Sequence, residues 1–165
     1  MIAKALSTSR VMEEVRTRKE IDKLLENSRQ DLRRIALSIT GNHESAEDAT
    51  QDALLRASKS GQLSFVLDAR SWLRRIVVRC AIDRLSSRTE APLDEAPQGC
   101  SDPTEFLAVQ QVLERLSVEH RTVLALALGQ GFSYREIAET LDIPEGTVGS
   151  RLNAARAAFQ REWDL

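Results

Sequence analysis

Apolar residues recur at helical spacing through the first half of the chain. From Lys19 the apolar positions are three, four or seven residues apart, at Ile21, Leu24, Leu25, Leu32, Ile35, Ala36 and Ile39. This pattern predicts a first helix that stops at Gly41-Asn42. A second helix is predicted from about Ser45 to Ser58, ended by Gly61, with an alanine-rich face for packing at Ala46, Ala49, Ala53, Leu54 and Ala57. Residues 1–18 show weak periodicity and are expected to form a fraying extension.

A third helix, predicted from Ala69 to about Ser87, has two unlike faces. Its apolar stripe contains Trp72, Leu73, Ile76, Val77 and Cys80. Roughly opposite lies a cluster of arginines, Arg70, Arg74, Arg75 and Arg79. Such a face is often simply solvated, but no acidic neighbour precedes Asp83, which favours a phosphate-binding face.

Residues 89–104 are rich in proline and acidic residues, which predicts an extended linker. It separates two groups of helical segments. The sequence therefore predicts an all-α fold of two small helical domains. The divisions are an N-terminal extension (1–18), a first domain (19–88), the linker (89–104) and a second domain (105–165).

The second domain is predicted to contain several short helices. One is built on Phe106, Val109, Val112, Leu113 and Leu116. Ser117 is a plausible N-cap for the next. That helix is filled by Val123, Leu124, Leu126, Ala127 and Leu128, and Gly129 and Gly131 end it.

The last two predicted helices form a helix-turn-helix. Ser133 and Glu136 have the spacing of a capping box, and Asp142-Ile143-Pro144 ends the helix that they start. A final helix begins near Glu145 and carries a core stripe at Val148, Leu152, Ala155 and Phe159. Its outward face is small and polar, at Ser150, Asn153, Ala154 and Ala157, between Arg151 and Arg156. The second helix of such a motif usually enters a DNA major groove.

The overall composition modifies this prediction only slightly. The 165 residues are 42% hydrophobic and 29% charged, with a net charge of −2. A protein that binds DNA alone usually has a basic excess, so DNA affinity is expected to depend on a partner. Charge is nevertheless segregated locally, because residues 70–88 hold six arginines and one aspartate.

Several classes of function find no support in the sequence. The two cysteines and two histidines lack the close spacing of a metal site. We expect Cys80 to be a buried reduced thiol and assign no role to Cys100. No catalytic constellation or phosphate loop is present, so neither an enzyme nor a cofactor is expected. No apolar run reaches the ~18 residues needed to span a bilayer, and no secretory segment is visible. We therefore expect a cytoplasmic protein without membrane insertion.

Three motifs, in this order, give the chain a family resemblance. The first is Ala46-Glu47-Asp48-Ala49-Thr50-Gln51-Asp52, followed by Leu54-Leu55-Arg56-Ala57. The second is Ser71-Trp72-Leu73-Arg74-Arg75-Ile76, continuing to Ala81-Ile82-Asp83-Arg84-Leu85. The third comprises residues 116–121, 131–138 and 146–152. Together they resemble the extracytoplasmic-function sigma factors of bacterial RNA polymerase, from about Leu24 to Phe159.

The resemblance implies a role for each domain. The first corresponds to sigma region 2, which binds the polymerase clamp and opens the −10 element, and the second to sigma region 4, which binds the −35 element and the polymerase flap. By position, the clamp contacts would be Asp48, Gln51, Asp52, Leu55 and Arg56. Considered without the family, these residues could equally form a solvated face.

The resemblance also assigns DNA contacts. A loop from about Leu63 to Asp68 matches the family's specificity loop, which captures a flipped −10 base, here with Leu63, Ser64 and Phe65. The following arginines, Arg70, Arg74, Arg75 and Arg79, would hold phosphates of the opened strand. Trp72 looks like a strand-stacking aromatic, but its place on the apolar stripe favours core packing. The −35 contacts would be Arg135, Thr147, Ser150, Arg151, Asn153 and Arg156.

Three positions depart from the family pattern. Many members have Asn where this chain has Arg79, and basic residues where it has Gly149 and Ala154. Loss of two cations from the recognition helix predicts unusual or weak −35 recognition. The acidic linker would suit a basic polymerase channel, although solubility alone would also explain it.

The predicted function is therefore that of an alternative sigma factor, which binds core RNA polymerase and directs promoter-specific initiation. Family membership also implies an anti-sigma factor as partner, and we expect the free protein to be monomeric. One rival is a sigma-like interaction protein that binds an anti-sigma factor or polymerase without reading promoters. Another is a stand-alone helix-turn-helix repressor, which would need a dimer interface that the sequence does not offer.

Overall fold

The computed structural model describes residues 16–87 and 102–165, and every regular element in these two ranges is helical. The α-helices are α1 (Arg18–Thr40), α2 (His43–Ser60), α3 (Ala69–Ser87), α4 (Pro103–Arg115), α5 (Val118–Leu124), α6 (Tyr134–Leu141) and α7 (Glu145–Trp163). A 3₁₀ turn (Gln62–Ser64) precedes α3, and a π-helical turn (Ala125–Gly129) follows α5. The all-α fold class predicted from the sequence is confirmed.

The first half is a bundle in which α1, α2 and α3 each contact the other two. The face that α2 turns to its neighbours is lined by four buried alanines, Ala46, Ala49, Ala53 and Ala57. Because alanine side chains are short, the neighbouring helices can approach α2 closely. The corner before α2 is sharp since Gly41 is left-handed (φ 67°) and the Asn42 side chain then caps α2.

The second half is organised around α7, which contacts α4, α5 and α6. Of the predicted stripe, Val148, Leu152 and Ala155 are buried, and Phe159 is half-buried. The predicted capping box starts α6: the Ser133 hydroxyl accepts from the Glu136 amide, and the Glu136 carboxylate accepts from the Ser133 amide. Helix α6 ends at Asp142, which adopts a left-handed conformation (φ 56°) and so makes the tight turn into α7.

The two halves pack directly against each other. Their buried apolar residues form one continuous cluster. Arg121 of α5 is only 3% exposed, and its guanidinium lies against Gly41 at the end of α1. The π-helical turn lies along α1, and Gln130 Nε2 beside it donates a hydrogen bond to the Arg34 carbonyl at 3.4 Å. The periodicity of each segment predicts none of these contacts.

Some boundaries drawn from the sequence need correction. Asp102 caps α4 and Pro103 is its first residue, so residues 103–104 belong to α4 and not to the linker. Proline suits this position because its fixed φ fits the helix and no amide is needed there. Likewise Arg18 belongs to α1 and not to an extension. Residues 1–15 and 88–101, which include most of the predicted extension, nearly all of the predicted linker and Cys100, lie outside the described residues.

Leu128 was predicted to fill the helix after Ser117, but it is 64% exposed. It lies in the π-helical turn, whose wider winding moves it off the face that regular α-helical spacing assigns to it. Within the described ranges, no helix combines the length and the apolar character needed to cross a membrane.

Candidate functional site

The first candidate surface is one face of α2. Asp48, Gln51, Asp52 and Leu55 lie three or four residues apart, so they share this face. Gln51 and Leu55 are exposed, and Leu55 is an isolated large apolar side chain at 49% exposure. Two acidic groups around an accessible leucine make a surface suited to binding another protein.

Arg84 of α3 fixes the two carboxylates of this face. Its Nη1 donates to Asp48 Oδ2 at 3.2 Å, and its Nη2 donates to Asp52 Oδ2 at 2.6 Å. The hydrogen bond with Asp52 raises the pKa of Arg84 above its ordinary value. Arg56, also assigned to this surface, has its Nη1 at 3.8 Å from Asp83 Oδ2 on α3. Sequence analysis assigned no role to Arg84, although the residue stands in the second family motif.

The second candidate surface is the loop between α2 and α3. Leu63, assigned to base capture, is 1% exposed and packs in the core. This corrects the prediction, because a side chain buried in the core anchors the loop and is not available to a base. Phe65 and Leu67 are instead 75% and 78% exposed, so the loop presents two large apolar side chains to solvent. Ser64 is half-buried.

Asp68 joins this loop to α3. Its carboxylate accepts from the Ser71 hydroxyl at 2.5 Å and from the Ser71 amide at 3.1 Å. These hydrogen bonds hold the pKa of Asp68 below the ordinary value of an aspartate, and the bond from the hydroxyl has the largest effect. The start of α3 is therefore capped by an ionised carboxylate at neutral pH.

Arg16, which lies just before α1, contacts the same loop. Its Nη1 donates to the carbonyls of Leu63 (2.9 Å) and Val66 (2.7 Å), and its Nη2 donates to that of Leu67 (3.4 Å). Its backbone amide donates to the Ser64 carbonyl at 3.4 Å. No sequence signal predicts this contact, because Arg16 lies in a segment without clear periodicity.

The four arginines of α3 do not form one uniform face. Arg70 and Arg79 are exposed and form no ion pair within the described part of the chain. Arg74 is paired: its Nε lies 3.1 Å from Asp31 Oδ2 on α1, and its guanidinium lies 5.4 Å from the ring centroid of Phe132.

The prediction that Arg74 belongs to an open phosphate-binding face therefore needs correction. The absence of acidic neighbours along the sequence did not exclude an acidic partner on another helix. Arg75 is half-buried and lines the same small cleft between the halves, beside Phe132 and Glu136. Trp72 is partly buried against the core, which confirms the packing interpretation.

The third candidate surface is the outward face of α7. Ser150, Asn153 and Arg156 are exposed, and Thr147 and Arg151 are half-buried. Neither Arg151 nor Arg156 has an ion-pair partner among the residues described. The Ser150 hydroxyl donates to the Thr147 carbonyl at 2.9 Å. Arg135 of α6 is paired with Glu139, with Nε 3.1 Å from Oε1.

Gly149 leaves room for a side chain on this helix. A Cβ at this position would lie 3.6 Å from Tyr134 Cε2, which is ordinary van der Waals contact. The missing cation is therefore not imposed by the packing of α7 against α6.

An apolar recess adjoins the outward face of α7, because Arg156 also contributes to its lining. It has a volume of about 580 Å³ and lies between α4, the π-helical turn and α7. Its lining includes Leu113, Leu124, Leu128 and Phe159, and Ser38 of α1 contributes to its rim. The exposed Leu128 makes this recess accessible to an apolar segment of another protein.

We found no group of His, Cys, Asp or Glu arranged to hold a metal ion in residues 16–87 and 102–165. Cys80 is buried, and burial raises the pKa of its thiol. The surfaces described above carry charged side chains, a recess and exposed apolar side chains, which are suited to binding another macromolecule.

Comparison with known proteins agrees with this geometry. The family model for sigma-70 region 2 matches residues 24–90, and that for sigma-70 region 4 matches residues 106–159. The ECF RNA polymerase sigma factor SigM of Mycobacterium tuberculosis is 38% identical over 148 residues, covering 85% of this chain and 75% of SigM. SigL of the same species is 34% identical over 140 residues, covering 77% of this chain and 79% of SigL.

A solved structure shows the same architecture. The sigma factor RpoE from Bartonella quintana, in complex with the anti-sigma factor NepR, superimposes with a TM-score of 0.64 at 25% identity. The match covers 89% of this chain and 98% of RpoE.

Proposed function

The chain belongs to the extracytoplasmic-function sigma factors of the sigma-70 family, and from this premise we propose which of its surfaces perform each part of promoter recognition. Members of this family are initiation factors without enzymatic activity of their own. The protein is thus an alternative sigma factor that acts with RNA polymerase on promoter DNA. We divide it into the sigma region 2 domain at 18–88 and the sigma region 4 domain at 103–165, which begin with α1 and α4, and we place its work in the cytoplasm, with the polymerase.

The face of α2 is proposed to bind the clamp helices of the large polymerase subunit. The observation that carries this proposal is the fixed pair of carboxylates, Asp48 and Asp52, held by Arg84 beside the exposed Leu55. A pre-ordered surface loses little conformational entropy on docking. Gln51 and Arg56 complete the contact.

The loop after α2 is proposed to read the −10 element. Phe65 and Leu67 are the accessible apolar groups, and Ser64 lies between them and the buried Leu63. An aromatic ring can stack on an unpaired base, and a base leaves the duplex only if such contacts offset its unstacking. Arg70 and Arg79 are the α3 cations open to the phosphates of the melted strand.

The outward face of α7 is proposed to read the −35 element. Arg151 and Arg156 are available for phosphate or guanine, and Asn153 is exposed for a base edge. Thr147, Ser150 and Arg135 lie around them, each already engaged locally or half-buried. The weak net charge fits a protein whose two DNA modules act together once they are docked on polymerase.

The apolar recess between α4 and α7 is proposed to receive the polymerase flap. Its lining is mostly apolar, and the exposed Leu128 lies at its opening. We further propose that an anti-sigma factor restrains the free protein, since the superimposable RpoE was solved with NepR. Free of both partners, the protein is proposed to be a monomer.

The experiment that tests this function is run-off transcription with core polymerase on a genomic library. Initiation at specific promoters is expected. If no active core gives promoter-specific starts, promoter reading is refuted and a sigma-like binder of polymerase or anti-sigma factor is favoured.

The clamp assignment has a separate test. Asp48→Ala combined with Gln51→Ala is expected to weaken core binding by about tenfold or more, because both groups lie within the proposed contact. Glu26→Ala is the matched control, since it removes an exposed carboxylate from α1, away from this face. Unchanged core affinity in the double variant would refute the assignment.

A further inference from the structure

The loop proposed to read the −10 element is short, and it is held by contacts at both ends. Gly61 (φ 68°) turns the chain out of α2, and the Phe65 and Val66 amides both donate to the Gln62 carbonyl, at 2.9 and 3.0 Å. Leu63 is its apolar anchor in the core, and Asp68 caps α3 at its far end. Between these points the carbonyls of residues 63, 64, 66 and 67 accept hydrogen bonds from Arg16.

Three of these carbonyls accept from a single guanidinium. Arg16 Nη1 donates to the Leu63 and Val66 carbonyls at 2.9 and 2.7 Å, and Nη2 donates to that of Leu67 at 3.4 Å. Arg16 stands 47 to 51 residues before these acceptors, so the contact is a product of the fold. Hydrogen bonds from a charged donor are stronger than neutral ones, and the planar guanidinium directs several donors in fixed directions.

Arg16 is itself held in place. It directly precedes Thr17, which caps α1 in a capping box with Glu20. The Glu20 carboxylate accepts from the Thr17 amide at 2.6 Å and from the Thr17 hydroxyl at 2.8 Å. The backbone from which the Arg16 side chain extends is therefore fixed to the start of α1.

The loop exposes its large apolar side chains in this arrangement. With the carbonyls of residues 63, 66 and 67 drawn toward Arg16, the side chains of Phe65 and Leu67 face solvent, 75% and 78% exposed. A site that captures a flipped base discriminates between bases only if its groups are held in place before binding.

We infer that Arg16 is a positioning residue for −10 recognition: its guanidinium holds the loop in the conformation that presents Phe65 and Leu67 to the base. The inference rests on the proposed role of the loop in −10 reading. It adds to that role a residue outside the three family motifs, placed before the first helix of the domain. Arg16 acts through the loop and does not itself contact DNA.

The test uses holoenzyme assembled from full-length variants and core polymerase, with single-stranded oligonucleotides carrying the −10 region of a promoter found by run-off transcription. The measured quantity is discrimination, the ratio of affinities for the native sequence and for single-base substitutions. Arg16→Ala is expected to reduce discrimination by about tenfold, the effect of losing charge-assisted hydrogen bonds. Arg16→Lys is expected to restore little of it, because one ammonium cannot reproduce the fork.

Two controls separate positioning from other roles. Arg18→Ala removes a neighbouring cation whose side chain is 81% exposed and pairs only with Asp22 among the described residues, and discrimination is expected to stay unchanged. Core affinity and the salt dependence of DNA binding are expected to be the same for Arg16→Ala and the parent protein. Hydrogen exchange in Arg16→Ala is expected to rise in residues 62–68 and not elsewhere in α1–α3.

Each other outcome refutes a specific claim. If Phe65→Ala loses discrimination and both Arg16 variants keep it, the loop reads the −10 element but Arg16 does not position it. If Phe65→Ala also keeps discrimination, the proposed function of the loop fails. A uniform loss of affinity with a smaller salt slope, restored by Arg16→Lys, would show a direct phosphate contact and overturn positioning. Should Arg16→Ala lose core binding through misfolding, the discrimination and exchange of Arg16→Lys decide between these outcomes.

Discussion

The face of α2 and the outward face of α7 both carry charges, but they hold them differently. On α2, Asp48 and Asp52 are tied to Arg84 of a neighbouring helix. On α7, Arg151 and Arg156 have no ion-pair partner in the described part of the chain. Gly149, which has no side chain, lies between these arginines and the turn before α7. The surface proposed for protein contact is ordered in advance, whereas the surface proposed for DNA keeps its cations available.

This difference has a physical basis. The side chains of Arg84, Asp48 and Asp52 are 39%, 48% and 37% exposed, so their pairing adds little to stability and acts mainly on geometry. When a cation without an internal ion pair binds a DNA phosphate, the release of counterions from the DNA contributes fully to affinity, because no internal ion pair has to break. The following predictions test this comparison, beginning with the largest expected effect.

Leu152→Ala would remove the centre of the α7 core stripe. Leu152 is 1% exposed, so we expect a loss of about 2–5 kcal/mol in the free energy of unfolding of the second half. Binding to the −35 element should be lost, while core binding through α2 should persist. Asn153→Ala, one residue along on the exposed side, is the stability control. Denaturant unfolding measures the stability, and titration with core polymerase measures the core affinity. A loss of core affinity as large as the loss of −35 binding would show that the two halves fold as one unit.

Arg151→Gln combined with Arg156→Gln would remove the unpaired cations from α7. We expect −35 affinity to fall about tenfold or more, and the salt slope of binding to decrease by about two, one for each lost phosphate contact. Arg161→Gln removes an exposed cation from the last turn of the same helix and serves as control. An unchanged salt slope would mean that these cations do not contact phosphate.

Gly149→Ala and Gly149→Lys would separate helix stability from charge at one position. Since a Cβ there meets Tyr134 at only 3.6 Å, both variants should fold, with a gain of up to ~1 kcal/mol in stability. Gly149→Lys should also raise −35 affinity above that of Gly149→Ala and increase the salt slope by about one. Equal affinities of the two variants would show that the position does not face DNA.

Arg84→Gln would release the two carboxylates of the α2 face. Stability should change by less than about 1 kcal/mol, because the ion pairs are exposed. Core affinity should decrease about threefold, since Asp48 and Asp52 lose their fixed positions and must be ordered on binding. The matched control is Arg18→Gln, which breaks the exposed pair with Asp22 within α1. An equal decrease in both variants would argue for a general effect of charge.

Lowering the pH should reduce the stability of the two proposed DNA-binding modules to a similar extent. The expected effect is the smallest of those predicted here. Asp68 at the start of α3 and Glu136 at the start of α6 both have a pKa below the ordinary value, because Ser71 and Ser133 donate hydrogen bonds to them. A carboxylate whose pKa is lowered by folding contributes its full stabilisation at any pH above its unfolded-state pKa. That stabilisation is lost as the pH falls through the folded-state pKa, here below about pH 4. Both caps are exposed, so we expect well under about 1 kcal/mol from each. Asp68→Asn and Glu136→Gln should flatten the decline of Tm in that window, and an unchanged decline in both would refute the assignment.

Much of the local structure was predictable because its signals are short-range. The capping box of Ser133 and Glu136, the stops at Gly41 and Gly61 and the stripe on α7 each depend on residues within a few positions of one another. The assignments that proved wrong involve long-range contacts. Leu63 was assigned to DNA by its position in the loop that matches the family's specificity loop, and nothing local predicts its burial. Arg74 was assigned to phosphate because its helix holds no nearby acidic residue, whereas its partner Asp31 is 43 residues away.

The helical fold, the order of its elements and the family could all be predicted from the amino-acid sequence, because helix periodicity, capping and motif order depend on residues close together along the chain. Which charged and apolar groups remain available on the surface depends on tertiary packing. It paired Arg84 with the acidic face of α2, buried Leu63, turned Arg74 to Asp31 and brought Arg16 beneath the loop that exposes Phe65. A partner on another helix leaves no trace in local periodicity, since it depends on how the helices pack.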